Sequence, residues 1–394
     1  MVRDVKIVTG ASYGDEGKGL MTAYFCSKAP GKCLNICHNG GAQRGHTVVT
    51  GGRRHIFHHL GSGSFFGADT YFTEDFILNP MIFSDEYSGL SGMLGNIRFY
   101  RHPDCRWSTP YDMIANQIIE EKRWDKRHGS CGVGIWETVL RYMKTSPPTV
   151  DEFLKMTESE QYKFLESVRE YFLARLAEKG IKKILGQWYE IFYGRGTAEH
   201  FIRDMKMMPE RIAAAEESIS AGYDRLVFEG GQGLLLSEKM AAEYGSDSHT
   251  TPSFTGYENP VKFLRKINFT GDTEVCYVTR TYLTRHGAGP FPGECDPEEI
   301  AIGLYDLTNQ TNLHQGKLRY GRHDMNSLNR RIAHDFSGYK DFPGAVCSTA
   351  VTHLNKTGGM LAVNGGMAQV SGLTGDRLYM SWSENVGEIK AFDR

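Results

Sequence analysis

The run Val5-Lys-Ile-Val-Thr-Gly-Ala-Ser-Tyr-Gly14-Asp15-Glu16-Gly17-Lys18-Gly19 decides the fold class, with Asn39-Gly-Gly-Ala-Gln43-Arg-Gly45-His46-Thr47 close behind it. The β-branched residues before the glycines read as a short buried strand. Leu20, Met21, Ala23, Tyr24 and Phe25 after them suit the first turns of a helix. Strand, glycine loop, helix is the arrangement that points backbone N–H groups at a phosphate, with the positive end of the helix behind them. Lys18 adds a cation where the outer phosphates of a nucleotide would lie. Asp15 and Glu16 need a different reason, because carboxylates beside a phosphate repel it unless a divalent cation or a proton transfer is involved. The loop is not the signature G-x-x-x-x-G-K-[ST], since two residues separate Gly14 from Gly17 and Gly19 follows the lysine. An ordinary strand-to-helix turn is the plainer alternative.

Working outward, strands repeatedly end in polar glycine loops while helices intervene. Cys33-Leu-Asn-Ile-Cys and Thr47-Val-Val read as strands, and residues 76–83 as a buried strand with a turn at its centre. In Arg53-Arg-His-Ile-Phe-His-His59 the alternation favours a strand edge over a histidine metal cluster. Asn116 to Lys126 has helical spacing and runs into the loop Gly129-Ser-Cys131-Gly-Val-Gly134. Residues 150–220 form a mainly helical layer, with apolar positions such as Phe153, Leu165, Val168 and Phe172 at helical intervals. Leu226-Val-Phe-Glu-Gly-Gly-Gln232-Gly and residues 344–355 are later strands that end in polar groups. Between them lies Thr284-Arg-His-Gly-Ala-Gly-Pro-Phe-Pro-Gly-Glu294, too rich in Gly and Pro for regular structure. The pattern predicts an α/β protein: one large domain over residues 1–394, with a mainly parallel central sheet flanked by helices and a P-loop-NTPase-like phosphate loop.

Composition narrows the function. The 394 residues carry a formal charge of −2 and are 40% hydrophobic, enough for a large core but without a basic surface for nucleic acid. No run of eighteen apolar residues and no leader pattern occur, which predicts a chain that does not meet the membrane. Eight scattered cysteines without a C-x-x-C pair suit reduced thiols and a cytoplasmic location.

Four segments, taken together, resemble the adenylosuccinate synthetase family: residues 13–19, 40–49, 228–235 and 284–294, in the family's order. The resemblance implies a ligase that joins L-aspartate to C6 of a 6-oxopurine nucleoside monophosphate, driven by a nucleoside triphosphate, with Mg²⁺ as cofactor, in a homodimer. It makes Asp15 the base that deprotonates N1 and a Mg²⁺ ligand, with the Gly45 carbonyl as second ligand. His46 would donate to the transferring phosphoryl group or O6, Lys18 would neutralise the γ-phosphate, and Gln232 would bond the purine. Gln43, Cys131 and Ser248 would hold the 5′-phosphate, with Arg141 reaching across a two-fold interface. At Cys131 and Ser248 the family has threonine, and at Gln43 asparagine.

The departures bear on specificity. The family's Thr-Lys-Leu-Asp is here Thr352-His353-Leu354-Asn355. A carboxylate offers two acceptors to guanine, whereas Asn355 offers one acceptor and one donor, which suits adenine and predicts ATP or dATP over GTP. Asn355 as a cap on the strand end is the bland alternative. In the basic loop, Lys317 and Arg319 keep two charges while His314 and Gln315 replace threonines. Thr374-Gly-Asp-Arg377 is expected to stand for the loop that closes the base pocket. Asp15 favours an IMP-type substrate. The short tail and Asn355 favour the viral branch that makes 2-aminoadenylosuccinate from (d)GMP. A non-catalytic nucleotide-binding regulator and an unrelated phosphotransferase are the other readings.

Overall fold

A computed structural model describes residues 2, 4–239, 250–306, 316–342 and 344–394. Among these residues a central sheet of ten strands runs through the molecule. In chain order its strands are β1 (Asp4–Gly10), β2 (Cys33–Cys37), β3 (Asp69–Phe72), β4 (Phe99–Arg101), β5 (Ile212–Ala214), β6 (Arg225–Gly233), β7 (Asp272–Arg280), β8 (Val346–Thr352), β9 (Arg377–Met380) and β10 (Lys390–Asp393). Across the sheet they lie in the order β10-β9-β8-β7-β1-β6-β2-β3-β4-β5. Every pair is parallel except β9–β10. Gly10 pairs with Gly233 and Val278, Arg280 with Thr352, and Val351 with Met380. The carboxyl ends of the central strands therefore share one edge, where ligands of such sheets gather.

β1 explains the sheet's centre. Val5, Ile7 and Val8 are wholly buried. Val5 and Ile7 pack on one face with Leu34, Phe228 and Val275, and Val8 packs on the other with Val227, Cys276 and Val278. A strand covered on both faces reads as a nearly continuous apolar run, as this one does. The first helix, α1 (Lys18–Ser27), starts without a side-chain cap at Gly17, whose φ is +96. A Cβ at Gly17 would lie 2.8 Å from Thr352 Cγ2, and one at Gly19 2.5 Å from His46 Cβ. The glycines thus let the loop close onto the ends of neighbouring segments.

Two local expectations fail. Residues 76–83 are a two-residue strand, Ile77–Leu78, followed by a helix, α2 (Pro80–Leu90). Asn79 accepts from Ile82 N (3.0 Å) as N-cap, and Pro80 sits at the first helical position, where its missing N–H costs nothing. The helix expected from Asn116 begins earlier, as α3 (Pro110–Arg123), behind a Thr109–Asp112 capping box. Residues 150–220 do form a helical layer, including Val150–Lys155, Glu158–Glu178 and Arg195–Met207, the first two started by threonine capping boxes. β5 then returns to pair with β4 at the sheet's end. No helix among the described residues is long and apolar enough to cross a membrane.

The histidine string serves the fold. The strand Arg53–Phe57 carries His55, whose Nε2 lies 2.9 Å from Glu86, while His59 lies beyond the strand and accepts from Asn79 N (2.8 Å). Glu86 also takes the backbone N–H groups of His58, His59 and Leu60.

Candidate active site

A cavity of about 350 Å³ opens at the carboxyl edge of the sheet. Three predicted segments meet in it: Asp15 to Leu20, Gly45 to Thr47, and Thr352, His353 and Asn355. They meet because the strands before them, β1, β2 and β8, run the same way.

The loop from Gly14 to Gly19 is stapled from within. Lys18 is buried at 2% exposure, with Nζ 3.6 Å from Glu16 Oε2. Glu16 also accepts from Ser12 N, and burial raises its carboxyl pKa above the ordinary value. Its side chain therefore holds the loop's shape. Asp15 has φ +56, a backbone setting that non-glycine residues rarely adopt and that often marks functional turns. Its carbonyl accepts from Arg280, which is fixed by Asp306 at 2.7 Å. Its carboxylate Oδ2 lies 3.1 Å from His286 Nε2. Burial works against its charge, but the His286 hydrogen bond and the charges of His286, Arg280 and Lys18 outweigh that and hold its pKa down to about 2.

His46 is set by Glu229, a fully buried carboxylate 2.6 Å from Nδ1. Ser62 N and the Ser62 hydroxyl also donate to Glu229, and Arg44 Nη1 lies 3.4 Å away. These charges and bonds keep Glu229 ionised against its burial. His46 Nδ1 is therefore the donor to Glu229. Its Nε2 is buried with no hydrogen-bond partner among the described residues. Burial lowers the imidazole pKa to about 4, despite Glu229, so the ring is neutral and Nε2 carries a lone pair.

His353 has φ +62, its Nδ1 lies 2.9 Å from the Thr352 hydroxyl, and its ring meets Tyr282 edge-on. Burial, reinforced by Arg280, keeps it neutral. Asn355 is exposed at the cavity mouth.

Other expected residues lie elsewhere. Gln232 packs beside Gly14, where its Oε1 would sit 3.1 Å from a Cβ. Gln43 has both amide atoms buried without a partner among the described residues, in the loop that carries His46 but outside this cavity. Cys131 is partly exposed, its thiol pKa pushed up to about 11 by burial. Lys317 is exposed, and Arg319 pairs with Glu294 at 2.5 Å while donating to the carbonyls of Gly287 and Gly289. Ser248, His314 and Gln315 lie outside the described residues.

Arg141 and Thr374 to Arg377 both lie apart from the cavity lining. Arg141 is 1% exposed and grips Asp112 through Nε (2.9 Å) and Nη2 (3.0 Å), so its guanidinium is held within its own chain. Asp112 lies 29 residues earlier and on another helix, so spacing along the chain did not show the pair. Thr374 to Arg377 lies at the amino end of β9, where Arg377 bonds Glu274 and Asp393, on the opposite edge from the cavity. Ser383 and Glu384, past the carboxyl end of β9, line the cavity in its place.

The sequence reading missed Arg280, Tyr282, Tyr305, Asp306 and Lys356 in the cavity wall, and gave no role to Glu229 or His286. Arg280, at the end of a buried strand, was the available signal.

Comparison with known proteins gives the family and the fold. The adenylosuccinate synthetase family profile matches residues 7–341. An adenylosuccinate synthetase of Sordaria macrospora is 27% identical over 329 residues, covering 79% of this chain and 70% of that protein. One from Clostridium botulinum is 28% identical over 300 residues, covering 73% of this chain and 65% of its own length. In structure, the chain resembles fully ligated adenylosuccinate synthetase from Plasmodium falciparum (TM-score 0.67, 16% identity, 99% of this chain and 87% of that one). It also resembles the cyanophage S-2L succinoaminodeoxyadenylate synthetase bound to dGMP and dATP (TM-score 0.60, 13% identity, 99% and 95%).

Proposed function

Since the chain belongs to the adenylosuccinate synthetase family of C–N ligases, we propose that it joins L-aspartate to C6 of a 6-oxopurine nucleoside monophosphate of the IMP type, at the expense of a nucleoside triphosphate. The observation that carries this reading is the meeting of Asp15, Lys18 and His46 in one cavity. Asp15 takes the N1 proton; the N1–H electrons pass through the ring to O6, which bonds the γ-phosphorus as its bond to the diphosphate breaks. The amine of aspartate then adds at C6, O6 leaves with the phosphate, and the new C–N nitrogen releases one proton to the departing phosphate. A carboxylate with a pKa of about 2 is a weak base, so proton transfer must accompany O6–P bonding.

Lys18 and the N–H groups at the start of α1 offset charge on the phosphoryl group. His46 can donate from Nε2 only after taking up a proton, and an incoming triphosphate favours that charged form. The hard oxygens of an ionised Asp15 and of Gly45, both residues lining the cavity, fit Mg²⁺ in donor chemistry. Mg²⁺ held there would supply charge neutralisation for phosphoryl transfer. Gln43, whose buried amide has no partner among the described residues, is our choice for the 5′-phosphate, and Gln232 for the purine. Cys131, Ser248, Lys317 and Arg319 remain secondary assignments from the family resemblance, as do the cytoplasmic homodimer and the single working unit over residues 1–394.

Asn355, which offers one acceptor and one donor in the same cavity as Lys18, supports ATP or dATP as donor. The second reading, (d)GMP as acceptor, draws on the same Asn355 departure. Phosphate release from IMP, GMP and dGMP against ATP, dATP and GTP, with and without aspartate, tests all of this. We expect release that needs both the monophosphate and aspartate, and Asp15→Asn to abolish it while triphosphate still binds. Release without any monophosphate, or near-normal turnover of Asp15→Asn, overturns the reading, and triphosphate binding without turnover on any combination points to a regulator.

A further inference from the structure

We propose that His286 is a positioning residue for the ring base: by engaging Asp15 Oδ2 it turns the other oxygen, Oδ1, toward the purine N1–H. This rests on Asp15 being that base.

Asp15 needs such a partner. It lies in a loop with left-handed backbone at Gly14, Asp15 and Gly17, so nothing in regular secondary structure fixes its side chain. Arg280 anchors only its main-chain carbonyl. The side-chain contact to His286, at 3.1 Å, is what sets the carboxylate's direction.

His286 comes from a loop built to hold still. Arg285 donates to the carbonyls of Ala288 (3.1 Å) and Pro290 (2.6 Å). Arg319 donates to Gly287 O (3.1 Å) and Gly289 O (2.9 Å), on both sides of the next turn. Ala288 N bonds His128 O (3.0 Å), and a Cβ on Gly129 would lie 2.3 Å from Gly287 Cα. The imidazole is therefore delivered by a clamped loop that touches both the phosphate loop and the Gly129 loop assigned to the monophosphate. Arg319 acts here as a clamp on that loop.

In the proton transfer, the N1–H bond breaks, an Oδ1–H bond forms, and the electron pair moves to O6. His286 exchanges no proton in this step; it supplies the hydrogen bond that orients the acceptor. A base displaced by about 1 Å loses on the order of 100-fold in rate even when binding is intact.

His286→Val and His286→Gln separate this from a purely structural role, because glutamine can place an N–H donor near the original Nε2. For His286→Val we expect kcat to fall about 100-fold with the triphosphate KM changed less than about two-fold, and His286→Gln to recover most of the loss. In crystals, the Asp15 carboxylate should keep one orientation in wild type and His286→Gln and take several in His286→Val. Wild-type kcat in His286→Val, a rise in KM alone, failure of glutamine to recover activity, or an unmoved carboxylate in His286→Val overturns the proposal. If the wild type itself does not ligate, the functional reading fails, and the crystal comparison still decides whether His286 sets the carboxylate.

Discussion

Changing Glu229 to glutamine removes the counter-charge from an arginine that has no water to turn to. Arg44 is 2% exposed and Glu229 not at all, with Nη1 and Oε2 3.4 Å apart. Stranding one member of a buried ion pair costs about 3–5 kcal/mol. Arg44 keeps the carbonyls of His59 (2.6 Å) and Leu60 (2.9 Å), which places the expected loss near the lower end, about 3 kcal/mol. Arg44→Met strands Glu229 instead, though Ser62 and His46 still donate to it. Urea unfolding of both single variants and the double variant, followed by circular dichroism, reads the coupling directly. Each single variant should lose about 3 kcal/mol, and the double should lose less than the sum by at least about 1.5 kcal/mol. Additive losses, or a single variant as stable as wild type, would refute the claim that this pair is one electrostatic unit behind His46.

Asn355→Asp replaces the mixed donor and acceptor with two acceptors, so the GTP-to-ATP ratio of kcat/KM should rise about ten-fold or more, and an unchanged ratio contradicts the base-reading role. Gly17→Ala forces a side chain into a φ of +96 and against Thr352 Cγ2 at 2.8 Å; a loss of about 1–3 kcal/mol and weaker triphosphate binding are expected by calorimetry, and a neutral variant would show that the loop relaxes freely. Asp335, bonded to Tyr277 (2.7 Å) and Tyr257 N (3.0 Å), has its pKa raised by burial to about 6, with Glu258 adding to the rise and His334 opposing it. An acid whose folded pKa is raised contributes stability that is complete below its unfolded pKa and lost as pH climbs through about 6. Wild type should therefore lose up to about 3 kcal/mol relative to Asp335→Asn between pH 4 and pH 7.5, and parallel stability curves would contradict this.

The parts of the site written as contiguous glycine loops were legible, because a loop that approaches His46 and Thr352 at Cβ-excluding distances needs glycine at Gly17 and Gly19. Residues 76–83 misled because their apolar side chains suit a buried helix as well as a strand; Asn79-Pro80 held the signal for a helix start. His286 and Arg280 could not be assigned from spacing. They meet Asp15 only because β7 lies beside β1, a fact of sheet order rather than of chain order. Thr374 to Arg377 failed for a related reason: on a parallel strand, residues before and after the strand reach opposite edges, and only those after β9 reach the cavity.

The most direct measurement follows the purine oxygen. With the accepted nucleotide labelled by ¹⁸O at C6, capture of phosphorus by O6 moves the label into the released phosphate. Mass spectrometry should find one ¹⁸O in each phosphate formed during ligation. Unlabelled phosphate, with the label lost to water, would contradict the 6-phosphoryl route and with it the role assigned to Asp15.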